Sequence, residues 1–536
     1  MATTDASPSG STAPASPDTA EFTFTDHGPW VVEPDEITWT RGIGVLRSTT
    51  RRQVPALTSR RRIPPPARLA VVTRHLGTAM IGWAVKERRA GGSVARAGLS
   101  RRLRVAAEHL GPTYIKLGQI ISSGEGLFPA ELVNEFKLCR DQVPAESFDS
   151  VRRVVEEDFG KPLEEVFSWF SEVPLAAASI AQVHAAHLIT GEEVVVKVQR
   201  PGIRTKVFDD LKVMSWLAPF LVGRIPIAAL ANPPALVELF ADTITEELDF
   251  RLEAENMLDV ARMFAHLDQR GFLIARPHPE LVTRRVLVME RLHGFAFEDL
   301  ESMVLAGVDT HEILRIGMRG FTEGAIVHGI FHGDLHAENL FVTEDTKIAL
   351  MDFGITARMT PLQRSAFLRL MLTGAMGDIP GQITAFRDLG ALPADTDIDD
   401  VIRELKLDDQ PTDPTKMSQD ELLEEIQRII KALLGMGARL PKILMLYVKN
   451  LVFLDGAIGL LAPELDLLGE IAELSTQMAT THSEQFAAEM GMSASDFKVD
   501  AEAIKIGFGI VDDEVETVTY RDLQKRRETI RKRWEK

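Results

Sequence analysis

The sequence is poor in cysteine and lacks a long uncharged apolar run. Its 536 residues contain one cysteine, Cys139, which excludes an internal disulfide framework and fits a reducing compartment. No stretch of about 18 apolar residues is free of charge, and the nearest, 443–463, carries Lys449 and Asp455. The first residues lack a basic-then-apolar signal pattern. We therefore expect a cytoplasmic protein with buried helices at 443–463, no transmembrane helix and no secretory signal.

Positive charge is scarce outside one region. The formal net charge is -18, yet residues 41–107 hold 16 Lys or Arg and a single acid, Glu87, so that the rest of the chain carries about -33. Such a basic region indicates contact with an anionic surface, or with the acidic remainder of the protein itself. We expect an anionic membrane surface as the partner, with peripheral membrane association, and not nucleic acid. The helical spacing over Arg68–Arg89 fits a membrane-surface helix and a helix packed on the protein equally well.

The most specific pattern lies between His332 and Gly354. Asp334 is followed five residues later by Asn339, and a hydrophobic run then leads to Asp352-Phe353-Gly354. This spacing is typical of a kinase-fold catalytic loop and metal site. Asp334 would orient or deprotonate the acceptor, while Asn339 and Asp352 would supply the hard oxygen ligands that Mg²⁺ prefers. Two short strands around residues 344–346 predict a hairpin that brings Asn339 and Asp352 to the same end of a sheet.

A second pattern precedes it. The small-residue loop Ala176-Ala177-Ala178-Ser179 is followed by a strand, 194–199, with a single lysine, Lys197. This order is that of a kinase N-lobe, in which the lysine pairs with the α- and β-phosphates of ATP. The usual Gly-rich loop is absent, and alanine lacks glycine's backbone freedom, so we expect this loop to hold phosphates differently. Lys197 needs a buried carboxylate, and the acidic helix at 245–256 offers several.

Two further features bear on ATP and on the acceptor. The strand 285–292 ends in the polar-then-Gly sequence expected of the hinge over adenine, and Glu290 is the residue expected to bind ATP there. After Gly354 the chain enters a helix near Pro361, with no long activation segment and no Ala-Pro-Glu. Because ordinary protein kinases lay a peptide on that platform, we expect a small, lipid or water acceptor, or none.

With these residues in place, residues 100–460 resemble the UbiB/ADCK-type atypical kinase family, whose members are linked to quinone-lipid biology. Lys116-Leu117-Gly118-Gln119 is similar to the family's KxGQ motif, and residues 176–179 to its Ala-rich loop. Glu247-Leu248-Asp249 and Glu253 resemble its ExD motif and the glutamate of its αC helix. From spacing alone, Gly118 equally fits a simple helix crossing.

The resemblance implies a role for each of these residues. Lys197 would pair with Glu253, and Lys116 and Gln119 would regulate the site from an N-terminal helical extension, near Glu247 and Asp249. The ATP-binding residues would include the Ala-rich loop and Glu290, and the cofactors would be ATP and Mg²⁺. The extension would block peptides and favour ATPase or small-molecule chemistry, with a lipid or quinone-pathway partner.

The predicted fold is α+β, a bilobal protein-kinase-like fold with a helical N-terminal extension and extra C-lobe helices. The predicted parts are a disordered polar and basic arm, the extension, an N-lobe, a helical C-lobe and a polar tail, at residues 1–64, 65–150, 151–292, 293–496 and 497–536.

Three functions compete. The leading one is an atypical kinase or ATPase in isoprenoid-quinone or related lipid metabolism. The second is a small-molecule phosphotransferase, because the loop His332–Asn339 also resembles that of aminoglycoside kinases and departs from the His-Ala-Asp-Pro-His-Pro-Gly-Asn more usual in the UbiB family. The third is a nucleotide-binding pseudokinase scaffold, although a scaffold would not need Lys197, Asp334, Asn339 and Asp352 together.

Overall fold

The computed structural model describes residues 16–59, 64–122, 128–139, 143–221, 233–375, 377–407, 428, 432–433, 435–438, 441–490 and 519–534. The chain divides into two compact units, residues 1–293 with 349–355, and residues 294–348 with 356–536. Both contain helices and antiparallel strands, which confirms the predicted α+β class.

Helices make up most of the first unit. They are α1 (Ile43–Leu57), α2 (Pro66–Lys86), α3 (Gly92–Leu110), α4 (Pro112–Ser122), α5 (Ala130–Lys137), α6 (Phe148–Phe159), α7 (Ile203–Leu221), α8 (Pro233–Glu247) and α9 (Phe250–His266). Gly111, at φ +96°, separates α3 from α4, and the Gly111-Pro112 pair marks this break in the helical pattern of the sequence. Asp249 caps α9 by accepting a hydrogen bond from the Arg251 amide at 3.2 Å.

The sheet of the first unit fixes which way Lys197 points. Its strands are β1 (Phe167–Phe170), β2 (Ala176–Ala177), β3 (Ala181–Leu188), β4 (Glu193–Gln199), β6 (Pro277–Val282) and β7 (Val286–Glu290), in the order β1-β3-β4-β7-β6 with β2 on β3; β5 (Phe272–Ile274) is separate from it. Every pairing is antiparallel. Val194, Val196 and Val198 of β4 are buried in one apolar cluster with valines of α6. Because side chains alternate along a strand, Lys197 projects from the opposite face.

The prediction that most of residues 1–64 is disordered is wrong for the part that the structure describes. Residues 16–40, called here the N-terminal segment, pack against the first unit, and α1 follows them. Phe22, Phe24 and Val32 are at most 3% exposed, and the two phenylalanine rings stack at 4.8 Å. Phe22 and Phe24 alternate with threonines, but over only two apolar positions, and Val32 is isolated from them. The segment therefore has too few apolar residues in sequence to predict a helix or a strand. Residues 1–15 and 60–63 lie outside the described residues.

The fully buried side chain of Arg276 fixes the N-terminal segment in place. Its guanidinium pairs with the buried carboxylate of Asp18 and donates to the carbonyls of Thr25 and Trp30, the latter at 3.1 Å. Glu290 lies 3.8 Å from the same guanidinium. A buried charge with several partners of this kind is costly to disturb.

The basic region, residues 41–107, is partly neutralised by acids of the same unit. Seven of its arginines form ion pairs there, at positions 47, 51, 68, 96, 101, 102 and 104. Arg68, for example, pairs with Asp210, whose side chain is fully buried. These seven residues therefore contact acids within the protein itself, which is the second of the two contacts expected for this region. Residues 60–62, three more of its arginines, lie outside the described part of the chain.

The second unit carries the remaining elements. Its helices are α10 (Leu300–Leu305), α11 (Thr310–Glu323), α12 (Pro361–Ala375), α13 (Ile379–Asp388), α14 (Ile398–Leu405), α15 (Lys442–Leu461), α16 (Leu467–Met490) and α17 (Tyr520–Trp534). Its strands are β8 (Phe295–Ala296), β9 (Ile330–His332), β10 (Leu340–Val342) and β12 (Thr356–Arg358), with β11 (Ile348–Leu350) at the boundary. Thr343 N donates to Lys347 O at 3.0 Å and closes the turn between β10 and β11. The predicted polar tail is outside the described residues from 497 to 518.

One helix has the length and composition of a membrane span. Among the described helices this is α15, with a mean hydropathy of 1.7 over its most apolar window, 44% of which is buried within the protein. Asn450, at its middle, is fully buried. A half-buried apolar helix with buried polar groups agrees with the core helix that the sequence predicts at 443–463.

We predict that Arg276→Met destabilises the protein by about 3–5 kcal/mol, because it leaves the Asp18 carboxylate buried without its cation. The free energy of unfolding in urea measures this. Arg270→Met is the matched control, since Arg270 also binds the N-terminal segment, at Thr19 O, but at the exposed surface. Equal losses in the two variants would contradict the role assigned to Arg276.

Candidate active site

Lys197 lies at the centre of a charged cluster in the first unit. Its Nζ is 2.7 Å from Glu253 Oε1 on α9 and 3.2 Å from Asp352 Oδ1. The side chains of Lys197 and Glu253 are only 12% and 4% exposed. Burial alone would lower the pKa of Lys197, but the two carboxylates hold this pKa above its usual value. The lysine is therefore a fixed positive charge, and the structure pairs it with the glutamate that the resemblance implied.

Asp352 is held by its own backbone and remains open to solvent. Its φ is +52°, in the left-handed region that aspartate tolerates better than most residues. Its Oδ1 accepts from Gly354 N at 3.1 Å, and its side chain is 47% exposed. An exposed carboxylate anchored at one oxygen can serve as a ligand to a hard cation such as Mg²⁺.

Asn256 lies one turn beyond Glu253 on α9 and belongs to none of the sequence motifs. Its amide nitrogen donates to the carbonyl of Phe353 at 2.8 Å, and both side chains are buried. α9 therefore holds Lys197 through one side chain and the Asp352-Phe353-Gly354 backbone through another. An Asn on the buried face of an amphipathic helix, three residues after Glu253, is the signal that could have pointed to this role.

The KxGQ lysine connects the helical extension to this cluster. Lys116, on α4, lies 3.1 Å from Glu247 Oε2 at the end of α8, with both side chains at most 14% exposed. A Cβ placed on Gly354 would be 3.3 Å from Glu247 Cγ, so the glutamate packs directly against the glycine that follows Phe353. One line of contacts thus runs from α4 through Glu247 to the Asp352 turn.

The other members of the KxGQ and ExD motifs make different contacts. The Asp249 carboxylate binds the guanidinium of Arg251 at 2.8 Å and caps α9, while Glu247 is the acid that pairs with Lys116. Gln119 lies on α4 one turn beyond Lys116. A Cβ on Gly118 would come within 2.6 Å of the Phe136 ring of α5. Gly118 is therefore explained by the crossing of α4 and α5.

The Ala-rich loop is a tight hairpin backed by an arginine. Ala176 and Ala177 pair with β3, and Ala178 N donates to Ala181 O at 2.9 Å. Arg200 donates through Nε to the Ala178 carbonyl at 2.9 Å and through Nη1 to the Pro144 carbonyl at 2.9 Å. Ser179, at the tip, is 2% exposed. The loop is thus tied to its own strand and to the segment that precedes α6.

Glu290 faces the N-terminal segment. Its carboxylate accepts hydrogen bonds from the Thr25 hydroxyl and from Arg276 N, the latter at 3.2 Å. Burial raises the pKa of Glu290, against the lowering effect of these partners. The side chain is therefore used to fix the end of β7, and any contact of this residue with ATP would have to come from its backbone.

The second unit carries the catalytic-loop residues. The Asn339 amide nitrogen donates to the Asp334 carbonyl at 3.0 Å, which leaves the amide oxygen as the atom suited to a cation. Asp334 N donates to His332 Nδ1 at 3.1 Å. The Asp334 carboxylate forms an ion pair with Lys449 of α15, a residue that the sequence analysis treated only as a charge interrupting an apolar helix.

No group of three or more His, Cys, Asp or Glu side chains suited to a metal occurs within the described ranges. The candidate ligands Asp352 and Asn339 are single oxygen donors, one in each unit. Mg²⁺ at nucleotide sites is typically held by one or two protein oxygens together with phosphates and water, and each of these residues, within its own unit, offers an oxygen of the kind required.

Comparisons with known proteins identify relatives. Residues 138–381 match the ABC1 atypical kinase-like domain. The chain is 34% identical over 482 residues to the uncharacterized protein Rv0647c of Mycobacterium tuberculosis, covering 84% of this chain and 93% of the relative. It is 32% identical over 380 residues to a probable protein kinase UbiB of Azotobacter vinelandii (68% of each chain). An uncharacterized aarF domain-containing protein kinase of Arabidopsis thaliana, chloroplastic, is 31% identical over 394 residues (68% of this chain, 72% of the relative).

We predict an energetic coupling of about 1–3 kcal/mol between Lys116 and Glu247, because their ion pair is shielded from water. Unfolding free energies of Lys116→Met, Glu247→Gln and the double variant measure it. The control is the more exposed pair Arg152–Glu156 on α6, at 2.9 Å, for which a much smaller coupling is expected because water screens it. A Lys116–Glu247 coupling no larger than that of the control would contradict the proposed link.

Proposed function

Since this chain belongs to the UbiB/ADCK-type atypical kinase family, we propose that it binds ATP with Mg²⁺ and transfers or hydrolyses the terminal phosphoryl group. The observation that carries the proposal is the buried Lys197 cluster. A lysine held between Glu253 and Asp352 has the arrangement that kinases use to bind the α- and β-phosphates.

Each remaining site residue takes one part in this proposal. Asp352 and Asn339 would each offer an oxygen to Mg²⁺, which would neutralise the phosphate charge. Asp334 orients the acceptor hydroxyl or water. The Ala-rich hairpin, residues 176–179, lies against the nucleotide, where a hairpin stiffened by Arg200 would adapt less than a Gly-rich loop.

The acceptor in this proposal is water or a small molecule, not a peptide. The contacts of Lys116 with Glu247, and of Glu247 with Gly354, support a regulatory extension that stays closed over the Asp352 turn. The chain also passes from Gly354 to α12, at Pro361, within seven residues, which leaves little room for a peptide platform.

A lipid surface is the proposed setting. α2 exposes Val71, Ile81 and Val85 (42%, 67% and 73%). Ile81 and Val85 are four residues apart, and Val71, ten residues before Ile81, falls on the same side of the helix. The exposed cations Arg74, Lys86, Arg88 and Arg89 lie on or directly after that helix. An apolar face flanked by cations suits an anionic membrane, and we extend the proposal to isoprenoid-quinone or related lipid metabolism on the family resemblance.

The test is steady-state ATP hydrolysis with Mg²⁺, with and without anionic liposomes, on the intact chain and on Asp352→Asn. We expect lipid-stimulated turnover that falls by roughly 10²-fold or more in the variant, because a metal ligand is lost. Asp345→Asn, in the turn between β10 and β11, is the control acid and should keep full turnover. ATP binding without turnover in the intact chain would instead favour the scaffold.

We predict that Ile81→Glu weakens binding to anionic liposomes roughly ten- to a hundredfold, since one buried isoleucine contributes about 1.5–3 kcal/mol. Co-sedimentation with liposomes measures the binding. Ile189→Glu is matched in side chain and exposure, 62% against 67%, but lies in the turn between β3 and β4. The proposed face is wrong if both variants bind like the intact chain or lose binding equally.

A further inference from the structure

We propose that Lys449 of α15 is the positioning residue for Asp334, an inference that rests on the proposed phosphoryl-transfer role of that aspartate. The Lys449 ammonium forms an ion pair with Asp334 Oδ1, and the two side chains are only 18% and 17% exposed. This is a contact within the second unit, between the catalytic loop and a helix that begins more than 100 residues later.

The next residue of α15 holds the backbone of the same loop on both sides of Asp334. Asn450 Oδ1 accepts from Leu335 N at 3.2 Å, and Asn450 Nδ2 donates to the His332 carbonyl. Asn450 is fully buried. Two consecutive residues of one helix thus fix the carboxylate and the main chain of the loop separately, and this is why removing each should have a different effect.

Aromatic packing sets the position of α15 against the loop. The Tyr447 ring stacks on Phe321 of α11 at 4.9 Å and meets Phe331 of β9 and Phe367 of α12 edge-on at 5.9 and 4.8 Å. Phe331 directly precedes His332, so the same turn of α15 contacts both the strand and the loop that follows it. Such packing gives Lys449 little freedom to leave Asp334.

The sequence context argues that this lysine is more than a surface charge. α15 is the most apolar long helix of the described chain, and a lysine at its middle is costly unless it is paired. The alternative role for the same ion pair is that Lys449 only stabilises the fold. The two roles differ in their kinetic effect. Loss of a positioning residue lowers the rate of ATP hydrolysis with little effect on ATP binding, whereas loss of a structural residue lowers both.

The consequence for chemistry follows from the fixed geometry. An ammonium at Oδ1 holds the Asp334 carboxylate in one orientation toward the acceptor, and misplacement of a catalytic group by about 1 Å can cost roughly 10²-fold in rate. The ammonium also places a positive charge beside the catalytic loop, where negative charge shifts during phosphoryl transfer. Lys449 would therefore act through Asp334 on the turnover step.

The experiment compares Lys449→Met, Lys449→Arg and the intact chain in Mg²⁺-dependent ATP hydrolysis, with the dissociation constant for ATP measured by calorimetry. We expect kcat to fall roughly 10- to 100-fold in Lys449→Met, the ATP constant to stay within about twofold, and Lys449→Arg to recover most of the rate. Lys212→Met is the matched control, because Lys212 forms a half-buried ion pair with Asp209 at 3.0 Å on α7, away from the Asp334 loop.

The outcomes separate this inference from the proposed function. An unchanged kcat in Lys449→Met overturns the inference alone. A parallel loss of kcat, ATP affinity and thermal midpoint without recovery by arginine makes Lys449 structural and also overturns it. An intact chain that binds ATP but does not turn it over overturns the proposed function, and the inference falls with it.

Discussion

The site depends on a buried lysine that three elements of the first unit hold in place. Lys197 projects from the face of β4 opposite the valine core, α9 supplies Glu253, and the Asp352 turn supplies the second carboxylate. A buried ammonium without partners would lose its charge, so the position of α9 and the conformation of the turn are both tied to this one charge. The same helix holds the Phe353 carbonyl through Asn256, which links the strand of Lys197 to the turn at Asp352.

Ion pairs also hold other parts of the first unit together. Arginines of the basic region meet acids of α7, α8 and α9, and Arg276 fixes the N-terminal segment through Asp18. Through Glu290 the N-terminal segment also reaches the end of β7. The helical extension and the N-terminal segment are therefore structural parts of this unit, although the first is basic and the second is polar in sequence.

Local signals carried most of what the sequence could predict. Neighbouring residues are enough to predict β4 with its lysine, the strands around residues 344–346 and the break at Gly111. The partner Glu253 was predicted from the family motifs. Asn256, Arg276 and Lys449 act through partners 97, 258 and 115 residues away, which no periodicity reveals. For the same reason the N-terminal segment was expected to be disordered: its few apolar residues become a pattern only when the surface that they cover is known.

The central claim is that the Lys197 cluster binds the phosphates of ATP. The most direct test is the dissociation constant for Mg²⁺–ATP of the intact chain and of Lys197→Met, measured by calorimetry. A charge-assisted contact to phosphate contributes about 1.5–3 kcal/mol, so the account predicts binding that is roughly 10- to 100-fold weaker in the variant. Equal affinity in the two proteins, both folded, would contradict it.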